Sequence, residues 1–220
     1  LNGVQLDLYP GQVTALIGEN GAGKSTIVKI LTGIYQPDDG TISVDGIATR
    51  FPTALAAGDA GVTAIHQETV LFDELTVAEN IFIGHAPRTR FGLIDTAKMQ
   101  AEAARLLASI HADLDPKARL RDLGIASKQR VAIARALSID ARVVIMDEPT
   151  AALSHKEINE LYDLVAVLKA QGKAILFISH KFDEIFRIAD RFTVFRDGQF
   201  VAEGEMAGVT EGGLVQMMVG

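Results

Sequence analysis

The chain has 220 residues, 48% of them hydrophobic and 22% charged, no cysteine, and a formal net charge of −7 at pH 7. That apolar content excludes a disordered chain and supports one substantial folded core, or one core with a small inserted lobe. Disulfides, thiolate metal sites and cysteine nucleophiles are excluded outright, and the acidic balance argues against non-specific nucleic-acid binding, which needs a basic face.

No apolar run approaches the roughly 20 residues that a membrane-spanning helix needs. The sequence opens at Leu1 without a methionine and without a basic segment ahead of an apolar one. It is therefore expected to carry no signal peptide and to be a piece of a longer protein.

Strand and helix signals alternate, which predicts an α/β architecture. Val13-Thr14-Ala15-Leu16-Ile17 is a short apolar run that feeds directly into glycines. Helical residues follow from Lys24 to Leu31, closed by Gly33 as a C-cap. Thr41-Ile42-Ser43-Val44 meets Asp45-Gly46, and Val194-Phe195 meets Phe200-Val201 across Asp197-Gly198, so two antiparallel hairpins are predicted. Residues 84–140 read as helix only. Met99, Ala103, Leu106, Leu107 and Ile110 form one apolar stripe, and Val131, Ile133, Ala134 and Leu137 suggest another. Val143-Val144-Ile145-Met146 and Ala174-Ile175-Leu176-Phe177-Ile178 are continuous apolar runs, expected for parallel strands covered on both faces. Between them Ser154 and Glu157 form a capping-box pair. Its helix then repeats apolar residues at Ile158, Leu161, Leu164, Val165 and Leu168.

Residues 18–26, Gly-Glu-Asn-Gly-Ala-Gly-Lys-Ser-Thr, fit G-x-x-x-x-G-K-[ST] between a predicted strand and a predicted helix. Such a loop lets successive backbone amides curl around phosphate oxygens at a helix N-terminus. The candidate ATP-binding residues are Gly18, Asn20, Gly21, Ala22, Gly23, Lys24, Ser25 and Thr26. Lys24 is placed to reach the β- and γ-phosphates, and the Ser25 hydroxyl to ligate Mg²⁺. The competing reading is a glycine turn that merely joins strand to helix.

Asp147 and Glu148 end an apolar strand, which puts two carboxylates at the carboxyl edge of the sheet, where ligands bind in open α/β folds. Asp147 suits the metal, through water, and Glu148 suits polarising an attacking water. Taken alone, the two acids are a solvated strand end; the phosphate loop changes that balance. His180 follows the strand ending at Ile178 and is either a capping or packing residue or a catalytic one. Gln67, after Ala64-Ile65-His66, carries no signal of its own.

In this order the elements resemble the nucleotide-binding domain of ABC transporters, over nearly the whole chain. Residues 18–26 are similar to its Walker A loop, Gln67 to its Q-loop, and residues 143–148 to its Walker B strand with the catalytic glutamate. Ala151-Ala152-Leu153-Ser154 resembles the D-loop, and His180 the switch histidine. The resemblance implies a P-loop NTPase with a RecA-like core, antiparallel strands at the N-terminal side and an inserted helical subdomain. Residues 1–83 and 141–220 form that core and 84–140 the subdomain. It further implies that Glu148, His180 and Gln67 are catalytic, that Ser25, Gln67 and Asp147 serve the metal, and that ATP and Mg²⁺ are bound.

A narrower resemblance is to the first ATPase domain of tandem bacterial monosaccharide importers. It rests on Ala64-Ile65-His66-Gln67-Glu68, on Leu75-Thr76-Val77-Ala78-Glu79-Asn80-Ile81-Phe82-Ile83-Gly84 and on the closing Met217-Met218-Val219-Gly220. It implies a chain that powers sugar import from the cytoplasmic face of the inner membrane, held there by transmembrane permease subunits that dock around residues 69–82. A second ATPase domain would complete the motor, a periplasmic sugar-binding protein would act indirectly, and no nucleic acid would be bound.

Two departures from the family pattern stand out. The signature loop is Leu123-Gly124-Ile125-Ala126-Ser127, with Gly124 where a phosphate-contacting serine belongs and Ser127 where glutamine belongs. A lost hydrogen bond to a charged group costs about 1.5–3 kcal/mol. The expectation is therefore asymmetry: a competent Walker site of its own and a weak site completed for its partner. The family stacks adenine on an aromatic residue some way upstream of the P-loop, and the sequence begins 17 residues before Gly18; Tyr9, in Tyr9-Pro10-Gly11, does not match, so the stacking residue and the first strand are expected to lie outside this sequence. Two other readings compete: a soluble ABC-type ATPase acting on nucleic acid or ribosomes, and a nucleotide-binding module that no longer turns over. Uninterrupted motifs without sustained heptads argue against the former, and Glu148 with His180 against the latter.

Overall fold

A computed structural model describes residues 1–66, 71–151 and 153–220. The chain divides into two compact units, one of residues 1–66, 141–149 and 168–220, the other of residues 67–140 and 150–167.

The first unit is built on a six-stranded sheet. Its strands are β1 (Val13–Ile17), β4 (Val62–His66), β5 (Val143–Asp147), β6 (Ala174–Ile178), β7 (Arg191–Arg196) and β8 (Gln199–Glu205). They lie in the order β4-β5-β6-β1-β7-β8. Every pairing from β4 to β7 is parallel, and β8 alone turns back antiparallel on β7. The apolar runs explain the parallel arrangement. Leu16 packs on one face with Ile27, Val28, Ile145, Leu176 and Phe195, while its neighbours Ala15 and Ile17 pack on the other with Ile185, Phe192, Val194 and Leu214. A strand apolar at every position is stable only with both faces covered.

The Asp-Gly signals both mark hairpins. β2 (Ile42–Val44) and β3 (Ile47–Thr49) pair antiparallel across Asp45-Gly46, but as a separate two-stranded sheet. β7 and β8 pair across Asp197-Gly198. In each turn both residues have positive φ, 51° and 76° in one and 51° and 74° in the other, the geometry that matches the twist of the flanking strands. The first unit is completed by α1 (Lys24–Leu31), α2 (Ala54–Asp59), α7 (Phe182–Ile188) and α8 (Glu211–Val219).

The second unit is helical. α3 (Val77–Ile81), α4 (Thr96–Ser109) and α5 (Ile125–Ser138) pack on one another through Val77, Ile81, Met99, Ala103, Leu107, Val131, Ile133 and Ala134, all buried. α6 (His155–Ala170) starts at the expected capping box, in which Ser154 N–H donates to Glu157 at 2.8 Å, and it is tied to α5 by the Arg130–Glu160 ion pair at 2.6 Å. Residues 84–140 read as helix only, and the structure differs both over 84–95 and between α4 and α5, where Leu120–Asp122 form a single 3₁₀ turn. Residues 84–95 form a turn in which Thr89 N–H donates to Leu93 O at 2.8 Å and Arg88 bridges Ile94. Pro87 has no amide to give a helix, and Asp95 instead caps α4 by accepting from Lys98 N–H at 3.0 Å.

α3 opens on a capping box, Thr76 with Glu79, a T-x-x-E signal legible in the sequence. Behind it Asn80 is fully buried. Its amide group donates to Phe72 O at 3.0 Å and Thr76 O at 2.9 Å, and its oxygen accepts from Phe72 N–H at 2.8 Å. One side chain thereby holds the segment leading into α3. Asn80→Ala leaves the Phe72 amide without that partner and is expected to destabilise the fold by about 2 kcal/mol or more. Chemical denaturation measures this, and an unchanged midpoint would show that residues 72–76 are held by other contacts.

Candidate nucleotide site

The carboxyl ends of β1, β6 and β5 lie side by side, so the loops that follow them leave from one edge of the sheet. Residues 18–23 follow β1 and run directly into α1. A side chain at Gly18 would collide with the backbone carbonyl of Phe195 on β7, so only glycine lets the loop leave the strand here. Gly23 is the N-cap of α1, with φ 101° and no side chain capping the helix start. Backbone amides at a helix start and the positive end of the helix macrodipole are the features that bind phosphate groups. Asn20 and Ser25 are exposed, Thr26 is half-buried, and Ala22 turns inward into the core.

Lys24 Nζ lies across this loop, donating to Gly18 O at 2.6 Å and Glu19 O at 3.0 Å. Burial pushes its pKa below the usual lysine value, and the nearby Glu148 and Asp147 carboxylates push it back up. The loop lysine and the acidic pair thus share one electrostatic neighbourhood.

Asp147 is the last residue of β5, in register with Ile178 of β6. Glu148 comes next, and its N–H donates to Ile178 O at 2.9 Å. Its backbone has φ 47°, a left-handed conformation that costs a residue with a side chain roughly 1–2 kcal/mol. His180 sits two residues beyond Ile178, and its Nδ1 lies 3.2 Å from Glu148 Oε1. A carboxylate only accepts, so Nδ1 carries the proton in that contact. The loops after β5 and β6 are joined at this point by a backbone bond and a side-chain bond together.

The structure therefore brings Lys24, Asp147, Glu148 and His180 together within the first unit. It places Leu123, Gly124, Ile125, Ala126 and Ser127 in the second unit, where Gly124 is the N-cap of α5 without a side-chain cap and Ile125 is exposed. Gln67 lies outside the described residues, as does Ala152 of the stretch resembling the D-loop. Ser179, directly before His180, and Glu184, four residues after it, carry no motif of their own. Ser179 donates to Glu184 at 2.8 Å, and both are buried. The only hint was a serine directly before the histidine and an acid in the first turn of α7.

The sequence profile of the ABC transporter family matches residues 1–151. The chain belongs to the ABC transporter family. Ribose import ATP-binding protein RbsA 1 of Rhizobium meliloti is 74% identical over all 220 residues, which make up 44% of that protein. The RbsA protein of Roseobacter denitrificans is 72% identical over the same residues, 43% of its length. The chain thus spans less than half the length of these curated relatives. Among solved structures, an ATP-binding cassette of an ABC transporter in its ADP conformation superposes with a TM-score of 0.84 at 25% identity, over 99% of this chain and 91% of that one. An ATP-binding subunit of another ABC transporter gives 0.74 at 27% identity, over 97% and 91%.

A cavity of about 390 Å³ lined by Gln12, Asp190, Arg191 and Glu205 lies at the amino end of β1 and holds none of the residues just described. In this ABC transporter chain the loop lysine, the acidic pair and His180 lie at the opposite edge.

The left-handed backbone of Glu148 has a measurable consequence. Glu148→Gly removes the steric cost but adds backbone freedom to the unfolded chain, so folding stability is expected to hold or rise, by up to about 1 kcal/mol. Denaturant titration checks it. A loss of stability beyond about 1 kcal/mol would show that the Glu148 side chain, through His180, stabilises the fold more than its backbone strains it.

Proposed function

We propose that this chain binds and hydrolyses ATP and that the hydrolysis powers import of a sugar across the bacterial inner membrane. What carries the reading is the electrostatic grouping of the loop lysine with the acidic pair at the sheet edge, joined by the contact between His180 and Glu148. The relatives that carry the words ribose import in their names support the sugar, and the family supports the nucleotide.

In this reading the amides of residues 18–26 and the ammonium of Lys24 hold the β- and γ-phosphates. Glu148 accepts a proton from the attacking water, and His180 orients that carboxylate through Nδ1 while presenting the rest of its ring to the γ-phosphate. Gln67 would join them at the metal and the γ-phosphate.

The donor set fits Mg²⁺. Ser25 offers an exposed hydroxyl and Asp147 a carboxylate, both hard oxygen donors, and no cluster of three or more metal-ligating side chains occurs among the described residues. Mg²⁺ is commonly held by one or two protein oxygens with the rest supplied by phosphates and water. When bound, it neutralises the charge that develops on the phosphoryl oxygens.

The partners follow from the same reading. A second ATPase domain would supply its signature loop to this site, and permease subunits would dock near residues 69–82 and hold the chain at the cytoplasmic face of the membrane. A periplasmic sugar-binding protein would act through those subunits. Among the described residues no helix is long and apolar enough to cross a membrane.

Two substitutions test the hydrolytic reading in the assembled transporter. Glu148→Gln is expected to retain ATP and to lower turnover by about 10²–10⁴-fold, the usual contribution of a positioned acid or base. Lys24→Ala is expected to weaken nucleotide binding by about tenfold or more, the equivalent of one charge-assisted hydrogen bond. Wild-type turnover in the first, or wild-type affinity by calorimetry in the second, would remove that residue from its role.

The signature loop carries the proposed asymmetry. A side chain added at Gly124 meets open space, and φ of −69° suits any residue. Gly124→Ser therefore supplies the missing hydroxyl without backbone strain. Nucleotide binding should tighten at the partner's site, by about tenfold, and stay unchanged at this chain's own Walker site. Site-resolved nucleotide titration distinguishes the two, and tightening at this chain's own site would contradict the asymmetry.

A further inference from the structure

We propose that Glu184 is a positioning residue for His180, acting through Ser179; the proposal rests on the hydrolytic reading above. Residues 178–181 are pinned on both sides of the histidine. On one side Ile178 O accepts the Glu148 N–H at 2.9 Å. On the other, Ser179 donates its hydroxyl to Glu184 Oε2 at 2.8 Å and accepts the Lys181 N–H at 3.1 Å. Lys181 Nζ meets the second oxygen of the same carboxylate at 3.1 Å. Glu184 and Ser179 are each 5% exposed, whereas the side chain of His180 between them is 64% exposed.

This arrangement goes beyond helix capping. Lys181 is the N-cap of α7 and makes no side-chain cap of its own, and Glu184 stands three residues further on. In an ordinary capping box that glutamate would accept the N-cap amide directly. Here the Ser179 hydroxyl is interposed, so the carboxylate draws in a residue of the loop rather than only the helix start. α7 is itself fixed by Ile185, 1% exposed in the core that covers Ala15 and Ile17. Glu184 therefore transmits the rigidity of the core to the backbone on either side of an exposed histidine. An exposed imidazole free to rotate would meet Glu148 only part of the time. A pinned backbone fixes the origin of the His180 side chain at the place from which Nδ1 reaches Glu148, and so favours that contact.

The test uses the protein in its assembled transporter, with ATP and Mg²⁺. Glu184→Ala is expected to lower kcat at least tenfold while KM for ATP stays within about twofold. Glu184→Gln keeps an acceptor for Ser179 and should recover most of the rate. The pair His180→Ala with Glu184→Ala should be no slower than His180→Ala alone, because Glu184 acts only through the ring. In the nucleotide-free protein the His180 Nδ1 resonance, observed by ¹⁵N NMR, should move in Glu184→Ala in the same direction as in Glu148→Gln. An undiminished kcat, rate losses that multiply in the double variant, or an unmoved resonance would each overturn the proposal. Equal hydrolysis by wild type and Glu148→Gln would instead sink the hydrolytic reading. The resonance then decides the positioning role by itself.

Discussion

The backbone bond from Glu148 N–H to Ile178 O, at the carboxyl edge of two parallel strands, is the constraint on which the site depends. A parallel sheet sends the loops after β5, β6 and β1 out along one edge, but that alone leaves them free to diverge. The bond draws the loop after β5 onto the end of β6, and it does so by turning Glu148 into a left-handed conformation. The carboxylate then meets His180, two residues further along β6's own exit. Beyond β6 lies β1, whose exit is the glycine-rich loop of residues 18–23. A strained residue with a side chain persists only where its surroundings over-determine it, and such residues gather at functional sites.

Opposing effects act on the loop lysine at this edge, and burial is the larger. Lys24 is half-buried, which disfavours its charge, and the two carboxylates favour it. A partly desolvated cation interacts more strongly with an anion than a fully hydrated one does, which is what the proposed phosphate contact would use. Glu148 plays two parts, supporting the charge on Lys24 and reaching His180. Substitutions at Glu148 will therefore disturb the lysine as well as the water it is proposed to polarise.

Much of this was legible in the residues themselves, and the exceptions follow a physical rule. Continuous apolar runs gave the parallel strands because no other environment covers both faces of Val143–Asp147 or Ala174–Ile178. Asp-Gly pairs gave both hairpins through their left-handed turn geometry. The glycine-rich loop after β1 was readable because its glycines answer to local geometry, Gly18 beside β7 and Gly23 at a helix start. Asn80, Ser179 and Glu184 had no structural role assigned from sequence because their meaning lies in neighbours that only the fold supplies. Residues 84–95 read as helix on the apolar stripes that begin only at Met99, whereas Pro87 and Gly92 favour the turn that the structure shows. The family profile and the superposed cassettes agree with the fold that those local signals imply.

The central claim is that a triphosphate is held between the loop opening at Gly18 and the acids that follow Met146. The most direct measurement is a crystal or cryo-EM structure of the Glu148→Gln protein with ATP and Mg²⁺. The account predicts the γ-phosphate between Lys24 and residues 147–148, with the metal beside Ser25 and Asp147. Nucleotide density anywhere else on the chain, with the loop after β1 empty, would contradict it.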